Sequence, residues 1–92
     1  MQNHKLKKLG HDLMNQLIYS DIEADVVFKK FDSEEMGICF SHYCDYYEDG
    51  RKSLFIFNFY TEDEALEVFS HMKDVMAGLR LVTDERSNHI HH

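Results

Sequence analysis

Apolar residues recur along this chain with two different periods. Leu6, Leu9, Leu13, Leu17 and Ile18 are spaced like one face of an α-helix, and Met14 widens the stripe, which predicts a helix over about residues 3–19. Lys5, Lys8 and Asp12 fall on its wet side, and Gly10 is its weak point. A second helical stripe runs through Ala65, Leu66, Val68, Phe69, Met72, Val75, Met76 and Leu79. It starts at the capping box Thr61-x-x-Glu64, with Glu62 and Asp63 at the positive end of the helix dipole, and it ends near Gly78.

Between the two stripes the period changes. Residues 20–31 read two ways. Ser20-x-x-Glu23 matches a capping box, and Ala24, Val27, Phe28 and Phe31 could line a helix. Val26-Val27-Phe28 favours extended chain, so a strand over about 25–31 is expected, followed by a turn at residues 32–37. Residues 37–60 read as a hairpin around Glu48-Asp49-Gly50-Arg51, because Asp-Gly supplies the backbone that a type I′ turn needs.

A two-residue turn fixes the register so that paired residue numbers sum to 99. Phe40 then faces Phe59, His42 faces Phe57, and Cys44 faces Phe55, which makes an aromatic face for the core. The other face pairs Cys39 with Tyr60, Ser41 with Asn58, Tyr43 with Ile56, Asp45 with Leu54, and Tyr47 with Lys52. That face is too polar for a core and too apolar for plain solvent, which points to a partner surface. A short edge strand at residues 80–83 and a frayed tail over residues 84–92 complete the reading.

The expected fold is therefore α+β, ordered α-β-β-β-α: a three-stranded antiparallel sheet with both helices on one face, in a single domain over residues 1–83. A chain of 92 residues holds one modest core. The absence of proline removes Pro-rich linkers.

Charge narrows the function classes. The formal net charge is −7, and the distribution is uneven. Lys5, Lys7 and Lys8 make the first nineteen residues basic, whereas residues 20–85 hold sixteen acids against six bases. Such a body is a poor ligand for phosphate backbones and suits a basic partner. The same element order occurs in double-stranded-RNA-binding domains, which place a basic cluster at the start of the last helix. Here that position reads Thr61-Glu62-Asp63-Glu64, which repels RNA, so no direct nucleic-acid binding is expected. The longest apolar run, Leu54-Phe55-Ile56-Phe57, is far short of a membrane span. A cytoplasmic location with reduced cysteines is the expectation.

Candidate chemistry is sparse. Cys39-x-x-His42-x-Cys44 has the look of a zinc fragment, with His71, Asp45 or the terminal histidines as a fourth ligand. Strand alternation turns Cys39 away from His42 and Cys44, so neither a metal nor another cofactor is expected. His42 and Cys44 share a face as a nucleophile pair would, but apolar surroundings raise a thiol pKa. His89-x-His91-His92 closes the chain, and no Gly-rich phosphate loop is present. No enzyme activity is expected.

The leading expectation is a non-catalytic, acidic protein-binding module. Its contacts would come from Tyr43, Asp45, Tyr47, Glu48 and Asp49 on the sheet and hairpin tip, with Asp32, Glu34 and Glu35 in the neighbouring turn. In a sharper form it is an inhibitor that mimics nucleic-acid charge and occupies the basic groove of a DNA-handling or defence protein, as small acidic inhibitors of phages and mobile elements do. The alternative is a homodimer or higher homo-oligomer with a structural or regulatory role, built on the tyrosine-bearing sheet face. A His/Cys metal-binding protein is the third reading.

Overall fold

The computed structural model describes residues 1–83. The order is α1 (Asn3–Ile18), β1 (Glu23–Lys30), β2 (Met36–Tyr43), β3 (Arg51–Phe57) and α2 (Glu62–Met76). The three strands form an antiparallel meander, β1-β2-β3, so both outer strands are sheet edges. Residues 20–31 resolve in favour of the strand, which begins two residues earlier than the sequence suggests. Residues 80–83 do not form the expected edge strand. The proposed tail and its histidines lie outside the described residues.

Helix α2 ends as its sequence dictates. Thr61 Oγ1 accepts the Glu64 amide at 3.1 Å, and the Glu64 carboxylate accepts the Thr61 amide at 3.0 Å, so the capping box is complete. At the other end of α2, Gly78 takes φ +76°. The Leu79 amide then reaches the Asp74 carbonyl and the Gly78 amide reaches Val75, which closes a Schellman motif. Helix α1 has no side-chain cap. It is held through its apolar stripe instead, with Leu6 and Leu13 fully buried.

The core lies between the helices and one face of the sheet. Ile38 and Phe40 from β2 and Ile56 from β3 meet Leu6 and Leu13 of α1 and Ala65, Val68, Met72 and Val75 of α2. Val82, beyond α2, closes the same core. Ser20 Oγ donates to the Met76 carbonyl at 2.6 Å, tying the α1–β1 connection to the end of α2. Both helices thus pack on one side of the sheet, and no helix is long and apolar enough to cross a membrane among the described residues.

The hairpin register differs from the expected one. Gly37 pairs with Phe57, Cys39 with Phe55, Phe40 with Leu54, and Tyr43 with Arg51, so paired numbers sum to 94. The cause is the connection. Residues 44–50 form a seven-residue link with nested turns (Tyr47 N–H to Cys44 O, Gly50 N–H to Tyr47 O, Cys44 N–H to Gly50 O) instead of a two-residue turn. A register change of five is odd, and an odd change exchanges the two faces of the partner strand. Leu54 and Ile56 therefore take the core side, and Phe55 and Phe57 face outward with Cys39, Ser41 and Tyr43.

Candidate functional site: the open face of the sheet

The side of the sheet away from the helices is covered by no other described element. Across its three strands the outward residues fall into rows: Glu23–Tyr43–Arg51, Asp25–Ser41–Ser53, Val27–Cys39–Phe55 and Lys29–Gly37–Phe57. The first two rows are polar. Tyr43 donates its hydroxyl to Asp25 Oδ2 at 2.8 Å, and Ser41 and Ser53 share a hydrogen bond of 2.7 Å. The Asp25 carboxylate is the main reason the Tyr43 phenol sits above its usual pKa, with Arg51 opposing it.

The last two rows are apolar and aromatic apart from Lys29 at the β1 edge. Phe57 is the hub of a ring cluster: it stacks on Phe55 at 5.5 Å and on Phe59 at 5.0 Å, and it meets Phe31 at 5.8 Å. Phe59 is 65% exposed, Phe31 50% and Val27 42%, so this cluster is not a hidden second core. Gly37 makes room for it. A Cβ there would stand 3.0 Å from the Phe57 ring and 2.9 Å from the Ile56 carbonyl. Polar rows at one end and aromatic rows at the other give the face a direction along the strands.

The residues singled out from sequence do not form one patch. Tyr43 is on the open face, in its polar half. Asp45, Glu48 and Asp49 are exposed on the 44–50 connection. Asp32, Glu34 and Glu35 sit in the β1–β2 turn, where Asp32 Oδ1 accepts the Glu34 and Glu35 amides at 2.7 and 2.8 Å. Those two bonds hold its carboxyl below the usual range. The two connections lie at opposite ends of the sheet, roughly 20 Å apart at the rise of an extended strand. The turn does not adjoin the hairpin tip.

Tyr47 points inward. It is 8% exposed, and its hydroxyl accepts the Val82 amide at 2.7 Å and lies 2.7 Å from His42 Nδ1. The exposed tyrosine of that connection is Tyr46, at 85%. Tyr46 and the outward phenylalanines are the residues that sequence reasoning missed. The signal for the phenylalanines was present in Leu54-Phe55-Ile56-Phe57, which is apolar on both sides of the strand.

The His42, Cys44 and Cys39 side chains do not share one face. His42 and Cys44 turn toward the core, and Cys39 lies on the open face, opposite His42. Burial pushes the His42 pKa down, which keeps the ring neutral. Among the described residues, no three His, Cys, Asp or Glu side chains gather as a metal would require. A groove of about 410 Å³ runs between the helices past Met1, Leu9, Leu66 and Phe69, and its rim charges Lys5 and Glu62 are already paired with each other. No protein-family model matches this chain, and neither a curated protein nor a solved structure matches it significantly.

Proposed function

We propose that this chain is a non-catalytic protein-binding module that docks through the open face of its sheet. The observation that carries the reading is the Phe55–Phe57–Phe59 stack with Phe31, a contiguous aromatic surface placed outside the core and partly in water. Aromatic anchors beside a polar, hydrogen-bonding border are the usual make-up of a protein interface. The test is a comparative capture from the native host with wild-type chain and a Phe31→Ser/Phe59→Ser variant, folding being checked by circular dichroism. Proteins retained by the wild type, its own chain included, should be lost with the variant. Equal retention by the two overturns the reading.

A second reading concerns the 44–50 connection, which offers Asp45, Glu48 and Asp49 around the exposed Tyr46 on a chain of net charge −7. These acids suit a basic protein surface, and in the sharper version they take the place of phosphates in a basic groove. Binding of that kind falls steeply with salt and with charge removal at Asp45, Glu48 and Asp49. Salt-independent binding overturns it.

A further inference from the structure

We infer that the open face is where two copies of this chain meet, related by a two-fold axis parallel to β2 that lies between the two sheets. The inference rests on the docking role proposed for that face and names its occupant. Two divisions of the face select a second copy. Along the strands, the polar rows of Asp25, Tyr43 and Arg51 give way to the apolar rows of Val27, Phe55 and Phe57. Across the strands of the polar half, the acids Glu23 and Asp25 stand on β1 and the base Arg51 on β3, while the base Lys29 of β1 stands in the aromatic half.

A rotation about that axis turns the sheet over and lays β1 of one copy over β3 of the other, while each row keeps its height along the strands. The aromatic half of one copy then covers the aromatic half of the other. Arg51 of each copy comes over Glu23 and Asp25 of its mate, two symmetric sets of opposite charges. Lys29 of each copy comes over the Phe57 ring of the other, an arrangement that favours a cation–π contact. A two-fold across the strands does the reverse. It lays Asp25, Ser41 and Ser53 on Val27, Cys39 and Phe55, which desolvates polar groups against apolar ones. Two sheets packed with aligned strands about 10 Å apart form an ordinary sandwich, and an isologous contact closes at two copies.

The size of the face sets the strength. Strands of up to eight residues, three abreast, cover on the order of 400 Å² per copy. That is below the roughly 800 Å² per partner of a standard interface, so the dimer is weak and concentration-dependent. Sedimentation of the full chain from about ten micromolar to about one millimolar spans the range in which such an interface fills.

Wild-type chain should dimerise reversibly over that range. Arg51→Glu and Glu23→Arg, both at exposed positions, should each weaken self-association roughly tenfold or more by setting like charges opposite each other. An equal mixture of the two variants should recover wild-type affinity, because each supplies the charge the other lacks; a misfolded variant could not do this. A strict monomer across the range overturns the inference and leaves the docking role to the capture comparison. A dimer that ignores both charge changes, or that mixing fails to restore, overturns it as well.

Discussion

The Tyr47 hydroxyl lies 2.7 Å from His42 Nδ1 and at the same time accepts the Val82 amide at 2.7 Å. The phenol oxygen can accept from Val82 and still either donate to the imidazole or accept from it, according to the ring's tautomer. One phenol thus joins the 44–50 connection, the central strand and the segment beyond α2. Tyr47→Phe keeps the ring and deletes the bridge, leaving the Val82 amide buried without its acceptor. A loss of about 1–3 kcal/mol in urea unfolding is expected. Amide exchange should speed up at Val82 before it changes in β2.

Acid should weaken the fold through His42. Its folded pKa lies below the ordinary value of 6.5, and burial is the cause. Below that value the unfolded chain takes up a proton that the folded chain resists, so this contribution is complete above pH 6.5. It is lost as the pH falls from there through the folded pKa. Thermal melts should show the midpoint dropping over that window. His42→Asn, whose side-chain amide can donate or accept near the Nδ1 position and does not titrate, should flatten the dependence there.

Gly37 tests the support beneath the aromatic cluster. A methyl group at this position meets the Ile56 carbonyl and the Phe57 ring at or below 3.0 Å. The carbonyl belongs to the neighbouring strand and cannot turn away. Gly37→Ala should cost about 1–3 kcal/mol through overpacking, and aromatic-ring NMR signals of Phe57 should shift with it.

Gly10 offers the opposite outcome. Its added methyl would stand 2.5 Å from Cε2 of Phe28, a ring that is 43% exposed. Gly10→Ala gains about 1 kcal/mol of helix propensity and loses some of that in moving the ring. In a Phe28→Ala background the loss vanishes, so the substitution should stabilise by close to the full amount. A double-mutant cycle in urea measures the coupling between the two residues.

Much of this architecture was legible from residue spacing. The stripe from Leu6 to Leu17, the box at Thr61–Glu64 and the stop at Gly78 are local signals, and local backbone chemistry answers them directly. Residues 20–31 were harder, because a cap pattern and a β-branched run competed and only pairing with β2 decided the matter. The sorting of β2 was readable too: Phe40 and His42 go in, Cys39, Ser41 and Tyr43 go out. The site itself was missed by the length of one connection. Asp49-Gly50 does provide the positive φ, at Gly50, but as the last residue of a longer link. Nothing in the sequence shows that the Tyr47 ring is taken into the core from within a seven-residue link.

The strand Arg51–Phe57 carries apolar side chains on both of its surfaces, and this makes the chain its own competitor while it folds. Leu54 with Ile56, or Phe55 with Phe57, would each satisfy a hydrophobic core, so patterning alone leaves two arrangements close in energy. Discrimination passes to the geometry of the 44–50 link and thus to the local contact of Tyr47 with His42 and its contact with Val82, thirty-five residues away. Refolding of Tyr47→Phe should therefore populate a trapped, inside-out hairpin that the wild type escapes.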